Sequence, residues 1–241
     1  RLNPDKIILV TGCAAQINPE KWFSMPEVNY VVGNKEKVDK NFWTNFLKKE
    51  DLERENIVVS DIMKLKQTST HLLKHFNEQT RCFLQIQNGC NHRCTFCIIP
   101  YGRGNSRSIG SKYIIKNIQQ ALKNNLKEIV LTGVDLTSWG KDFNRKESLG
   151  MLLKTIFKKI PDLPRLRLSS LDPAEIDHDL MDVLHEEKKL MPQLHLSIQH
   201  GDDLILKRMK RRHLYRDVIN FVKEAKRRRP EIVFSGDFIS G

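Results

Sequence analysis

Cysteine is scarce, five in 241 residues, and three of the five, Cys90, Cys94 and Cys97, share one short stretch. An odd, clustered set argues for metal or catalysis over a disulfide framework. No apolar run approaches the ~18 residues needed to span a bilayer, and no charged-then-apolar signal segment opens the chain. A cytoplasmic protein without a membrane partner is therefore expected. Acidic residues are in deficit, 29 against 41 basic, leaving a net charge of +12 and a pI near 9.5. That balance suggests a polyanionic partner, nucleic acid first. An initiating methionine is missing: Arg1 is followed almost at once by the strand-like Lys6 to Val10, and the other end stops where a strand meets its loop. The chain reads as a fragment. What remains, 39% hydrophobic, suffices for a real core.

Taken in order, Ile7-Ile8-Leu9-Val10 reads as a strand ending at Thr11-Gly12-Cys13, and Asn18-Pro19 opens a short helix through Met25. Val28 to Val32 is a second strand, Asn34 to Leu47 has helical spacing, and Ile57-Val58-Val59 is a third strand. Residues 60 to 80 are polar and aperiodic, a linker with a boundary near 75 to 80. Beyond it, strands near 82 to 87, 127 to 132, 165 to 169, 193 to 198 and 231 to 238 alternate with helices near 111 to 124, 148 to 160, 174 to 189 and 203 to 229, the last broken. Repeated strand-helix units imply parallel strands with right-handed crossovers. Ligands then gather at the carboxyl ends of the strands.

The cysteine stretch would follow the first of these strands, as the turn leaving it. Cys90, Cys94 and Cys97 have the spacing C-x3-C-x2-C with no fourth cysteine after them, so three soft thiolates leave one coordination position free. An open position suggests chemistry more than a structural clip. A zinc site completed by His92 or Cys82 is the alternative. Zinc usually takes two separated pairs, and His92 is close in sequence to Cys90 for closing a tetrahedron. Cys82 alternates with Phe83 and reads as a buried small hydrophobe.

With Phe96 before the last cysteine, the spacing resembles the signature of radical S-adenosylmethionine enzymes. Val10-Thr11-Gly12-Cys13-Ala14-Ala15-Gln16, Asn88-Gly89-Cys90 through Gly104, Leu131-Thr132-Gly133-Val134-Asp135-Leu136 and Arg167 through Pro173 together resemble the methylthiotransferases that modify tRNA. His195 through Gln199 and Gly201 through His213 are most similar to the branch acting on threonylcarbamoyladenosine. The resemblance implies an α/β fold: a small, partial amino-terminal α/β domain over residues 1–75 that carries a second cluster, then a partial (β/α) radical S-adenosylmethionine barrel with parallel strands over 80–241. It implies addition of a methylthio group to carbon 2 of the modified adenosine beside the anticodon. An unactivated aromatic C–H is a poor target for polar chemistry, hence a radical.

The implied cofactors are a 4Fe-4S cluster on Cys90, Cys94 and Cys97, S-adenosylmethionine as methyl donor and radical source, and a second 4Fe-4S cluster with Cys13 as one ligand. One thiolate cannot hold that second cluster, and activity of this chain alone is expected to be low. Implied partners are tRNA, an electron donor such as a flavodoxin-type reductant, and a separate polypeptide supplying missing segments. Phe96 would contribute to the adenine pocket, and the Gly133 to Asp135 turn would lie near the methionyl amine, where a carboxylate suits an ammonium. Ser169 and Gln199, at strand ends, are candidate contacts to the ribose or methionyl end; each is equally readable as a turn or capping residue. The family motif after Gln199 continues with serine, where this chain has His200.

The densest positive region runs from Lys207 through Lys210, Arg211, Arg212 and Arg216 to Arg229. It reads either as a phosphate-contacting surface or as a solvated helix face. Arg103 and Arg107 follow the cysteine stretch, where they would neutralise an anionic cluster or meet tRNA. Two other functions stay open: a cluster-less, noncatalytic RNA-binding remnant, and a radical enzyme with a different substrate.

Overall fold

The computed structural model describes residues 5–49, 54–68 and 80–240. The chain divides into two units, one of Arg1–Ser69, Cys90–His92 and Cys97–Asn105, the other of Thr70–Gly89, Arg93–Phe96 and Ser106–Gly241. Most of the expected linker end and boundary, residues 69 to 79, lies outside the described residues.

In the first unit β1 (Leu9–Thr11), β2 (Tyr30–Val32) and β3 (Ile57–Val58) form a parallel sheet in that order. The middle strand is buried at every position, which is why Tyr30, Val31 and Val32 are apolar without alternation. At the end of β1 the backbone turns at Gly12, φ 118°, into α1 (Cys13–Ile17). Cys13 was expected at the strand end and instead starts this helix. Asn18 accepts the Lys21 amide and Pro19 takes the first turn of α2 (Pro19–Phe23). The helical spacing after Asn34 splits at Asp39, whose carboxylate accepts the Asn41 amide to start α3 (Lys40–Lys48). Phe46 of α3 meets Tyr30 edge to face, centroids 5.1 Å apart. The segment after the cysteines, expected as a turn, forms α4 (Ile99–Arg103), with Pro100 in its first turn, where a missing N–H costs nothing.

In the second unit β4 (Arg81–Gln85), β7 (Glu128–Thr132) and β8 (Leu166–Leu168) pair in parallel. A second parallel set joins β9 (Ser170–Leu171), β10 (Gln193–Gln199) and β11 (Val233–Phe238). The sequence from Leu166 to Leu171 thus serves β7 first and β10 after Ser169. A small antiparallel pair, β5 (Gln87–Asn88) with β6 (Arg107–Ser108), brackets the cysteine stretch.

Helices α5 (Ser111–Lys123), α6 (Leu149–Lys159), α7 (His178–Glu186), α8 (Asp203–Arg208) and α9 (Tyr215–Arg228) connect the strands. Apolar stripes at helical spacing form the inner faces: Ile114, Ile118 and Ala121 are buried on α5 with Ile115 and Leu122 partly buried beside them, and Leu149, Leu152, Leu153, Ile156 and Phe157 are buried on α6. The helix expected from 174 begins only at His178, because Asp172 caps a 3-10 turn at Pro173–Glu175 and Asp177 then accepts the Leu180 amide. No helix among the described residues is long and apolar enough to cross a membrane.

The amino ends of the parallel strands are tied by Glu128, its side chain 6% exposed, with Arg167 Nε at 2.8 Å, Arg81 Nε at 3.1 Å and Arg165 Nε at 4.0 Å. Burial pushes its carboxyl up, but the Arg167 hydrogen bond and the three guanidinium charges outweigh that and hold it below the usual value. A depressed carboxyl pKa contributes stability above the unfolded value near ~4.3 that is lost as pH falls through the folded one. Urea titrations from pH 7 down to pH 3 are expected to show an acid loss in the native chain that is smaller in Glu128→Gln; equal losses would discount this cluster.

Candidate active site

The carboxyl ends of the strands are organised by one buried amide. Gln87, fully inaccessible, donates from Nε2 to the Gly89 carbonyl at 2.7 Å and to Ser106 Oγ at 2.9 Å. Its Oε1 accepts the amides of Val134 and Asp135, both at 2.9 Å. One side chain therefore fixes the start of the cysteine stretch, the returning strand and the turn after β7. Gly133 permits this: a Cβ there would sit 2.9 Å from Gln87 Oε1 and 3.2 Å from its Cβ. The sequence pattern places Gln87 only at the end of the expected strand near 82 to 87.

Gly89 enters the cysteine stretch and Gly104 closes it, with φ of 75° and 78°, a region other residues adopt at a cost. The five cysteines are free thiols, Cys90 and Cys97 half-buried and Cys94 buried. The Cys90 amide donates to the Gly104 carbonyl at 3.0 Å, and Cys90 Sγ accepts the His92 amide at 3.3 Å. Cys94 and Thr95 are held by the turn that follows α8. The Thr95 amide donates to the Met209 carbonyl at 3.2 Å, and Arg211 donates from one terminal nitrogen to Cys94 Sγ at 3.6 Å. The other terminal nitrogen donates to the Ser197 carbonyl at 2.7 Å and lies 3.0 Å from Asp172 Oδ2. Lys210, at φ 57°, makes the reversal that turns Arg211 inward.

Asp135 is buried after β7, its carboxylate accepting from Ser138 Oγ at 2.6 Å and Thr137 Oγ1 at 3.2 Å. Ser169 sits where the strand changes partners, its amide donating to the Leu131 carbonyl at 3.0 Å. Its hydroxyl is buried without a partner among the described residues. Gln199 ends β10 at φ 72°, a strained conformation for a non-glycine residue and of the kind concentrated at functional sites. Phe96 is 44% exposed, a ring open to solvent. Cys82 lies in the core, where burial pushes its thiol up to about 11.

In the first unit, Cys13 is half-buried against α4. A Cβ on Gly102 would come 2.8 Å from Cys13 Cβ, so only glycine admits that approach. Arg103 Nε donates to Cys13 Sγ at 3.4 Å and Asn34 Nδ2 at 3.7 Å.

The structure corrects part of the expected RNA surface. Arg107 is 4% exposed; burial lowers its guanidinium from the usual value, opposed by the charge of Asp142. Such a group does not present itself to a phosphate. Arg211 is likewise withdrawn into the Asp172 pair, its side chain 6% exposed. Arg212 is paired with Glu175, and Arg229 is buried, donating to the Leu184 and Glu187 carbonyls. A charge run does not reveal which members turn inward. Lys210, Arg103 and the Glu175-paired Arg212 remain exposed.

The family model described as the radical SAM superfamily matches residues 84–240. The chain belongs to the radical SAM superfamily. Along nearly its whole length this radical SAM chain is also similar to tRNA methylthiotransferases. It is 44% identical over 239 residues to threonylcarbamoyladenosine tRNA methylthiotransferase MtaB of Rickettsia prowazekii, covering 99% of this chain and 55% of that protein. The Bacillus subtilis protein of that name is 35% identical, with 100% and 53% covered. A tRNA-2-methylthio-N(6)-dimethylallyladenosine synthase of Ehrlichia canis is 32% identical, with 99% and 54% covered. The chain thus spans about half the length of the curated relatives it matches.

Solved structures agree on the fold. The radical S-adenosylmethionine methyltransferase TsrM from Kitasatospora setae, with cobalamin and a 4Fe-4S cluster bound, superposes with a TM-score of 0.73 at 14% identity, over 98% of this chain and 52% of that one. The cobalamin-dependent radical enzyme OxsB, with aqua-cobalamin and S-adenosylmethionine bound, gives 0.67 at 14% identity, with 97% and 36% covered.

Proposed function

We propose that this chain is the radical-generating part of a tRNA methylthiotransferase acting at carbon 2 of threonylcarbamoyladenosine. The observation that carries the reading is three free thiols on one stretch, entered from the first strand of a parallel set and pinned by Gln87. The donor set fits a soft cluster with an open position, and Cys90, Cys94 and Cys97 would be its ligands. A 4Fe-4S cluster bound there would supply the electron for reductive cleavage of S-adenosylmethionine.

Around it the chain's own residues bind and orient. The Gly133–Asp135 turn offers a buried carboxylate suited to an ammonium group. Ser169 offers a buried hydroxyl without a partner among the described residues, and Gln199 a backbone held at the end of β10. The exposed face of Phe96 suits stacking on an adenine ring. Cys13, approached by Arg103 and Asn34, is the proposed contribution of the first unit to a second cluster. The threonylcarbamoyl specificity rests on similarity to the Rickettsia and Bacillus relatives. With Arg107, Arg211 and Arg229 buried, exposed Lys210 and Arg103 are the better candidates for tRNA phosphate contacts, with an electron donor as the remaining partner.

Anaerobic reconstitution with iron and sulfide tests the reading. The chain is expected to take up about four irons with the absorption and paramagnetic resonance of a 4Fe-4S cluster and to release 5′-deoxyadenosine from S-adenosylmethionine under dithionite. Cys94→Ala is expected to lose both. A cluster indifferent to Cys94→Ala would remove the basis of the assignment, and a cluster-loaded chain that releases no 5′-deoxyadenosine would overturn the radical-generating role.

A further inference from the structure

Arg211 combines three features that its place in a basic run does not suggest. It directly follows a lysine held at φ 57°, its side chain is 6% exposed, and it donates to a cysteine sulfur. Desolvating a guanidinium is expensive unless it is paired and hydrogen-bonded. Asp172 at 3.0 Å and the Ser197 carbonyl at 2.7 Å supply those partners. Asp172 is itself fixed, its Oδ1 accepting the Ala174 amide at 3.0 Å and lying 3.7 Å from His213 Nδ1. His213 Nε2 is 3.1 Å from the Ile198 carbonyl. The guanidinium is thus fastened by the residue after β9, by β10 and by the turn after α8, leaving the other terminal nitrogen on Cys94 Sγ. The same turn holds the next residue of the stretch: the Thr95 amide donates to the Met209 carbonyl at 3.2 Å, and Thr95 Oγ1 lies 3.4 Å from the Arg208 carbonyl.

We infer that Arg211 is a positioning residue of the cluster site: it fixes the Cys94 sulfur through an N–H···S bond and, as a buried cation, raises the reduction potential of a cluster bound there. The inference rests on the proposed ligation by Cys90, Cys94 and Cys97. Its physical basis is that a cluster gains negative charge when reduced. A nearby cation and a donor to a ligand sulfur stabilise the reduced form more than the oxidised form, and hydrogen bonds to sulfur are an established control of cluster potential. Asp172 offsets part of the charge but not the directed N–H. Lysine would keep the charge and lose the fork that reaches Asp172, the Ser197 carbonyl and Cys94 together.

The test is a potentiometric titration, followed by paramagnetic resonance, of the reconstituted chain with Arg211 native, Arg211→Lys, Arg211→Gln, and Arg211→Gln with Asp172→Asn. In the paired variant no buried carboxylate is left uncompensated, so it serves if Arg211→Gln does not fold. The expected result is a cluster in every folded variant. At a fixed potential the reduced fraction relative to oxidised should fall about tenfold in Arg211→Gln and in the paired variant, with Arg211→Lys between them and native, and the g-values should shift. Folded, iron-loaded glutamine variants with native potential and g-values would overturn the inference and leave Arg211 a packing residue. A native chain that takes up no iron overturns it differently, by removing the ligation on which it stands.

Discussion

Replacing Gln87 with leucine is expected to be among the most disruptive single changes in the chain. The side chain is fully inaccessible and serves four groups: the amides of Val134 and Asp135, the Gly89 carbonyl and Ser106 Oγ. Leucine fills similar volume and satisfies none of them. A buried polar group left without a partner costs about 1–3 kcal/mol. Some of the four will relax toward solvent, so a net loss of about 3–5 kcal/mol is expected, a large part of the ~5–15 kcal/mol of a typical fold. Urea denaturation reads the loss directly. Gln87→Glu separates the roles, since it keeps an acceptor for the two amides and removes the donors to Gly89 and Ser106; an intermediate midpoint is expected. A leucine variant with the native midpoint and native iron uptake would refute the claim that this amide organises the site.

The second large effect is expected at Gly150, in the first turn of α6. A Cβ there would lie 2.2 Å from the Leu180 amide nitrogen, 2.4 Å from Asp177 Oδ1 and 2.5 Å from the Asp179 carbonyl carbon. Two of these three are backbone of the facing α7 start, which cannot rotate aside, and Asp177 is already fixed as the α7 cap at 2.9 Å from the Leu180 amide. Alanine would gain about 1 kcal/mol of helix propensity over glycine. Forcing extra volume into a close-packed interface costs about 1–3 kcal/mol and occasionally more, and contacts this short to fixed backbone put the cost at the upper end or beyond, so the clash wins. A net loss of about 2–3 kcal/mol corresponds to roughly 4–12 °C in melting temperature for a chain of this size, measurable by circular dichroism. Met151→Ala, on the neighbouring and 42% exposed residue, is expected to leave the melting temperature nearly unchanged.

The elements that were legible share a cause. The stripes of α5 and α6 and the unbroken apolar run of β7 follow from periodicity, because a helix or central strand must bury the face its sequence makes apolar. The cysteine spacing was equally plain, since the three thiols sit on one local stretch. Local hydrogen-bond competition hid the rest. Asp39 and Asp177 move helix starts by accepting amides that a hydropathy pattern does not register. Pro100 reads as a breaker and acts as a helix opener, because its missing N–H falls in the first turn.

The chain's sequence by itself determined the strand-helix order, the three-thiol stretch, and the excess of positive charge. Only the tertiary structure decided what individual residues within those features do. It took Arg107, Arg211 and Arg229 out of the basic surface and set Arg211 on a cysteine sulfur. It also made Gln87, an unremarked residue beside the motif, the junction of strand, loop and turn. The reason is that periodicity and spacing are properties of neighbours along the chain. Whether a long polar side chain faces solvent or is drawn inward depends on acceptors such as Asp172 and the Ser197 carbonyl, which come from strand ends distant in sequence and meet only once the parallel strands are assembled.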